Sequence, residues 1–341
     1  MSGSRAILVV GGSAWTNWAS YEVESDFFTP ADSWQVEVRA PSVEQLAQVQ
    51  PGAKVAVLID ELPALQGYLE RRFIRREAAG TLLTLAGRDL AAPLVDCTPG
   101  PSWRFSGMSL EAVAQKALTE LGVLARISAG PAAKVARSIV GELGETYWAC
   151  LERYAKLAGL FVWMDPDGTL NIGRPDTTGQ PVATIGERVL SAEMETTWNG
   201  RFSEITVLGQ ATGRSPEWTG TGEALSGESC SFSITARDPE ITDHRPLFLD
   251  IGGMDGTGDA KARATHEVNQ RAFQASRLAY VIPGHGPKTG SLWAPNQRVH
   301  VVDPANNIDA IWWVQSRRLT YNAEGARTHL TLRDSTLLSV A

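Results

Sequence analysis

From Ala6 to Leu90 the chain is written in short apolar runs that alternate with polar residues and break at glycine, proline or aspartate. Tyr21/Val23 and Trp34/Val36/Val38 repeat every second residue, and GAKVAVLID (52–60), GYLERRFIRREA (67–78) and TLLTLAGRDL (81–90) follow in the same style. Period-two patterning with no intervening 3.6-residue period predicts about six antiparallel strands, the material of a small β-barrel. Reversals are expected at Gly11-Gly12, at Thr29-Pro30-Ala31-Asp32 and at ELPAL with Gly67. The opening AILVVGGSAW has the look of a nucleotide-binding strand and turn. Such a site needs a third glycine and a helix whose first amides face the phosphate, whereas the next residues alternate as strands do. The glycines therefore mark a turn.

At CTPGPSW (97–103) the composition shifts to a proline–glycine linker. Beyond it LEAVAQKALTELG places Leu110, Val113, Ala114, Ala117, Leu118 and Leu121 on one helical face, with Ser109 as cap and Gly122 as stop. A second helix is predicted over 146–158, feeding a hairpin whose tip is Asp165-Pro166-Asp167-Gly168. The predicted fold class is mainly β with α+β insertions: two small antiparallel β-barrel domains plus helix-containing α+β domains. The first barrel spans 1–96 and the α+β domain 97–187. A second barrel joins 188–230 to 284–341, around an inserted strand–helix–strand segment at 231–283; no sequence repeat marks the tandem. The stretch 211–229 reads as a long exposed loop.

The chemistry-bearing residues do not gather into a catalytic pattern. Asp165, Asp167 and Asn171 lack the downstream glutamate of a calcium loop and fit a hairpin tip. Histidines 244, 266, 285, 300 and 329 have no metal-ligand spacing and are expected to be solvated or to cap turns. Ser13 lacks the flanking glycines of a nucleophile elbow. Cys97, Cys150 and Cys230 have no paired spacing and read as reduced, buried thiols. GGMDGTGD (252–259) reads as a flexible loop with Asp259 capping the next helix. No catalytic, cofactor-binding or metal-binding residue is assigned, and no cofactor is expected. With 31 Lys and Arg against 38 Asp and Glu, the net charge of −7 argues against nonspecific duplex binding. The densest basic run, Arg71, Arg72, Arg75 and Arg76, sits in a strand and reads as a solvated edge or a protein-contact surface. The apolar runs are too short to span a bilayer, and the N-terminus is not a secretory signal.

The order of the pieces resembles Mu-like contractile-tail phage baseplate hub proteins, the family that also includes T-even hubs, late control protein D and the N-terminal part of type VI spike proteins. The resemblance is carried by VLIDE…GYLERR, GRDLAAPLVDC (87–97), SLEAVAQKAL, WACLERYAKLAGLFVWMDPDGTLNIGRP, RFSEITVLGQ and GSLWAPNQRVHVVD…GARTHLTLRD, and it covers nearly the whole chain. Asp89 stands where the family pattern has a serine. The resemblance implies a non-enzymatic structural protein: a homotrimer whose two barrels per chain form a pseudo-sixfold ring, joining the hexameric tail tube to the trimeric central spike and leaving a DNA channel. The implied partners are further copies of the chain, the spike, the tube or its initiator, and the wedge proteins; no specific nucleic acid and no stable membrane insertion is implied. The implied location is the virion tail baseplate, after synthesis in the host cytoplasm. An acidic chain would suit a channel that passing DNA must not stick to. A tail-associated cell-wall hydrolase and a glycan- or receptor-binding β-protein are the competing readings.

Overall fold

The structure, a computed structural model, describes all residues except 1–5, 11, 17, 40–48, 79, 187–188, 212–231, 255–256, 288–289 and 339–341. The chain divides into two compact units, residues 1–194 with 278–333 and residues 195–277 with 334–341. As the alternation predicts, the fold is mainly β.

In the first unit β1 (Ala6–Val10) folds back on β2 (Ser13–Trp15) with Val10 opposite Ser13, so the glycine pair is a reversal between strands. Strands β3 (Ser20–Asp26) and β4 (Thr29–Arg39) reverse at Phe27-Phe28, earlier than the proline suggested. The cause is local: the Asp26 carboxylate accepts the amides of Phe28 (2.8 Å) and Thr29 (3.2 Å), closing the turn before Pro30 is reached. Likewise β5 (Lys54–Ile59) and β6 (Leu62–Tyr68) are joined by Asp60 and Glu61, at φ 51° and 67°. Two left-handed residues make a hairpin whose twist matches its strands. The reversal thus takes only the first residue of ELPAL, and Leu62 to Leu65 and Gly67 belong to the returning strand. β7 (Arg71–Glu77) and β8 (Gly80–Arg88) complete the set, followed by a short helix α1 (Ala92–Asp96) that the sequence did not announce.

Tyr68 and Gly87 mark where β6 crosses β8. A methyl group on Gly87 would fall on the Tyr68 carbonyl oxygen, and one on Gly67 on the Arg88 carbonyl oxygen. Backbone meets backbone here, so no side chain can yield. Gly87→Ala is expected to cost at least about 3 kcal/mol, the upper end for overpacking, read as a lowered denaturant midpoint. An unchanged midpoint would contradict the close approach.

The middle segment builds on β9 (Arg104–Ser109), α2 (Leu110–Glu120), β10 (Arg126–Ala129), β11 (Ala136–Val140), α3 (Tyr147–Leu157), β12 (Phe161–Met164) and β13 (Thr169–Gly173). Both helices start where a hydroxyl can cap them: Ser109 Oγ accepts the Ala112 amide (3.2 Å) and Thr146 Oγ1 that of Ala149 (3.1 Å). Gly122 follows α2 at φ 65°, as expected of its stop. Val113, Ala117, Leu118, Leu151, Leu170 and Ile172 close a core between the helices and the β10–β13–β12 sheet.

β14 (Thr184–Ile185) and β15 (Ser191–Thr196) lead to the second unit, where β16 (Glu204–Ala211) lies between β17 (Phe232–Arg237) and β18 (Pro246–Met254). The sequence reading grouped Arg201–Gln210 with the C-terminal strands; β16 instead pairs with β17 antiparallel and with β18 parallel. Alternation shows which residues are strand but carries no information on non-local partners. Helix α4 (Thr257–Ala275) covers this sheet, with Val207, Ala260 and Ala264 buried together. Gly252 and Gly253 belong to β18, and α4 opens at Thr257, which places Asp259 in its first turn and not at its cap. The loop read at 211–229 lies, beyond Ala211, outside the described residues.

The chain returns to the first unit with β19 (Ser276–Pro283), β20 (Arg298–Asp303), β21 (Ile308–Asn322) and β22 (Gly325–Arg333). Among the described residues these strands and the N-terminal ones form one ten-stranded sheet. Its main path runs β7-β8-β4-β3-β21-β22-β19-β15, with β20 and β14 off it beside β21. Two apolar clusters lie on it. Val23, Trp34, Val36, Leu83 and Leu85 pack against Leu8, Val57 and Leu65 from β1, β5 and β6. Leu278, Tyr280, Leu330 and Leu332 pack against Val299, Val301 and Ile185.

Candidate assembly surface

The main path is a tandem. In chain order the first half supplies β3, β4, then β7 and β8; the second supplies β15, β19, then β21 and β22. In the sheet the halves read β7-β8-β4-β3 and β21-β22-β19-β15, the same arrangement twice. Each half ends on a related segment, Leu83-Thr84-Leu85 with Arg88-Asp89 and Leu330-Thr331-Leu332 with Arg333-Asp334. In both, the aspartate Oδ1 accepts the amide two residues on, Ala91 at 2.8 Å and Thr336 at 2.9 Å. This repeat escaped the sequence reading because it spans few residues and because Ala86-Gly87 splits the first copy while the second is continuous. Within the chain the halves join by β3 against β21, with Tyr21 opposite Tyr321 and Val23 opposite Leu319.

By that pattern the two outer strands, β7 and β15, are the unsatisfied equivalents of β21 and β3. Their surfaces differ from ordinary protected edges. β7 carries Arg71, Arg72, Arg75 and Arg76, and its Phe73 and Ile74 are 45% and 39% exposed. Every residue of β15 (SAEMET) is exposed; Met194 is 50% and the preceding Leu190 55% exposed. One edge is basic and the other carries Glu193 and Glu195. Both hold large apolar side chains in water. The arginines thus fall where the sequence reading put them, on an edge strand.

The sheet face away from the two cores is polar and of mixed sign. Glu24 lies opposite Arg318, and Glu22 and Glu37 share the face with Arg39 and Arg327. The net negative charge is not concentrated there.

Where β4, α1, β21 and the β12–β13 hairpin meet, the first unit buries charge. Arg317 is 1% exposed and donates to Ala64 O (2.8 Å), to Ser25 Oγ (3.4 Å) and to Trp293 O. Burial lowers its pKa to about 10, against the pull of Asp32 and Asp165. Arg88 binds the carboxylates of Glu70 and Asp96 in bidentate fashion, tying the β6–β7 corner to the end of α1. This explains the arginine of GRDLAAPLVDC.

The remaining singled-out residues have structural roles. Asp165 accepts from Trp163 Nε1 (3.0 Å) and Asn171 Nδ2 (2.8 Å), and Asp167 pairs with Arg126, as a hairpin tip requires. Ser13 is in β2. His300 pairs with Asp309 at 2.6 Å. Cys150 is buried, but Cys97 is exposed, correcting the expectation for that thiol; Cys230 lies outside the described residues. His285 is the other correction. It is 2% exposed, with Nε2 2.9 Å from Tyr21 Oη and Nδ1 3.4 Å from Thr328 Oγ1. Its PGHGP context looks like a surface turn, yet β3 and β22 close over it. Burial lowers its pKa from 6.5 to about 4, so the ring is neutral when folded. The folded state resists a proton that the unfolded chain accepts. Its contribution to stability is therefore present above pH 6.5 and is lost as pH falls toward 4. A His285→Gln variant should lose less stability than the parent between pH 6.5 and 4 in denaturant titrations; equal losses would contradict this.

Among the described residues, no group of three or more His, Cys, Asp or Glu is placed to hold a metal, and no helix is long and apolar enough to cross a membrane.

Four families match successive stretches: Mu phage baseplate assembly protein GpP-like, N-terminal (6–89); baseplate hub protein gp44-like, second domain (91–174); tail protein NMB1110-like, third domain (201–266); and tail protein, C-terminal domain (270–337). The chain is 28% identical over 296 residues to baseplate hub protein gp44 of Escherichia phage Mu, covering 85% of this chain and 76% of that one. It is similar to the tail protein from Neisseria meningitidis MC58, with TM-score 0.82 and 28% identity over 97% of this chain and 96% of that one. It shares the fold of the prophage MuSo2 43 kDa tail protein from Shewanella oneidensis, with TM-score 0.83 and 22% identity over 98% and 99% of the two chains.

Proposed function

We propose that the chain is a baseplate hub or tail protein of the Mu-like phage kind, a reading supported by the matched families and relatives, and that three copies close into a ring by pairing β7 of each with β15 of the next. The ring is the adaptor between a sixfold tail tube and a threefold spike, with a channel for DNA at its centre. One observation carries this reading: the chain already contains the proposed contact once, as β3 against β21. Repeating that contact between chains would place six equivalent four-stranded modules around an axis, and a head-to-tail contact that closes leaves no strand edge exposed. Basic β7 against acidic β15 favours the correct partner, and the apolar side chains of both edges become covered. The mixed charge of the free sheet face suits a channel wall by offering DNA neither a uniformly attractive nor a uniformly repelling surface.

In this reading the protein acts by assembly and not by catalysis. Light scattering on the purified chain should give three times the mass of the 36.8 kDa protomer, and averaged particle images should show threefold symmetry with near-sixfold character. A monomer at micromolar concentration, or a twofold particle, would overturn it.

A further inference from the structure

The buried junction contains more acid than its base can balance. Asp89 is 3% exposed and lines, with Asp32 and Asp165, a cavity of about 10 Å³, room for about one water. Asp32 keeps some surface as a residue, but its carboxyl is packed on nearly every side. The two aspartates are clasped through the backbone: the Asp89 amide donates to Asp32 O at 2.9 Å, and the Asp32 amide faces the Asp89 carboxylate. Around them stand Arg317 from β21, Asp165 from the β12–β13 tip, Ser25 and Asp26 from β3, Arg88 from β8 and Glu70 from the β6–β7 corner. Arg317 donates its hydrogen bonds to two carbonyls and a hydroxyl, not to either carboxylate. Asp165 is held as an acceptor through both oxygens. Asp32 and Asp165 therefore share one buried guanidinium, and Asp89 has only Arg88, which is already held by Glu70 and Asp96.

We propose that Asp32 and Asp89 share one proton at neutral pH, and that this proton locks the junction of β4, α1 and the β12–β13 hairpin. Two carboxylates that line one small, nearly dry cavity cannot both ionise cheaply. Burial raises Asp89 to about 7, against the amides of Ala91 and Asp32; burial and then the Asp89 charge raise Asp32 as well. A folded pKa above the unfolded value means the fold is favoured below pH 3.8, and that this advantage is lost as pH climbs through about 7. A serine at position 89 could accept the Ala91 amide without bringing a charge. The acid at that place makes the junction sensitive to alkali.

Difference infrared titration of the full chain reads the proton directly. In the parent, one buried carboxyl should lose its protonated band with a midpoint near pH 7. Asp89→Asn and Asp32→Asn should each move that band to lower pH, since the remaining carboxyl stays buried but no longer faces a second carboxylate. Asp89→Ser, which retains a cap, serves the same purpose if an asparagine variant does not fold. The denaturant midpoint of the parent should fall between pH 5 and 9 relative to Asp89→Ser. A parent without the band, or a band near pH 7 surviving in any of the three variants, overturns the proposal. None of these readouts depends on ring formation.

Discussion

Reversing the charge on one sheet edge should break the proposed ring of three into monomers. In Arg71→Glu/Arg72→Glu/Arg75→Glu/Arg76→Glu, β7 would present acid to the Glu193 and Glu195 of its neighbour's β15. Like charges in close strand pairing exchange attraction for repulsion at each of three contacts, and every 1.4 kcal/mol lost is about tenfold in association. A weakening on the order of 100-fold or more is expected, read by sedimentation or light scattering across concentrations, with the far-ultraviolet spectrum unchanged. The same result is expected from Glu193→Arg/Glu195→Arg. All six changes in one chain should restore the trimer, because both edges are then inverted together. Mixing the two edge variants should not restore it. They can alternate, but a ring of three has an odd number of contacts, so one junction always pairs like with like. That parity rule separates a head-to-tail ring from a twofold dimer, which the mixture would rescue. A trimer that survives either edge variant would place the interface elsewhere.

Much of this was legible locally. Alternation in Tyr21/Val23 and Trp34/Val36/Val38 marks strands because one face of each is buried, and Ser109 and Thr146 mark helix starts because first-turn amides have no carbonyl within the helix and need an acceptor. Turns were less legible: Pro30 pointed to a reversal that the Asp26 carboxylate had already made. Partnerships were not legible at all. Nothing in Glu204–Ala211 says that it pairs with Pro246–Met254, or in PGHGP that β3 and β22 bury the histidine. Two stretches of alternation pointed to a tandem of β-domains, and how its halves correspond emerged only with the sheet order. The edge pair β7 and β15 could be recognised in retrospect from RRFIRR and SAEMET, two strands with opposite charge and no buried face of their own.

Removing Arg317 should be the most damaging single change. It sits where β21 meets β3, the contact that joins the two modules within the chain, and its guanidinium reaches β6 through Ala64 O and the 290s loop through Trp293 O. Arg317→Met keeps much of the volume and the apolar stem, so a loss reports the charge and its hydrogen bonds. Two carbonyls would be left without donors, and Asp32 and Asp165 without their nearest positive charge. Breaking a buried charge system from one side typically costs about 3–5 kcal/mol, enough to consume much of the stability of an ordinary domain. The same variant distinguishes two ways in which the loss could arise. If the uncompensated carboxyls dominate, Asp32 and Asp89 both take up protons and the variant recovers stability as pH falls from 7 toward 5. If the orphaned carbonyls dominate, the deficit is the same at every pH. The junction's excess of acid favours the first outcome. Denaturant titrations of Arg317→Met at pH 5 and pH 8, each against the parent, decide between them, and a loss below about 1 kcal/mol at both would show that Arg317 holds nothing that its neighbours do not hold without it.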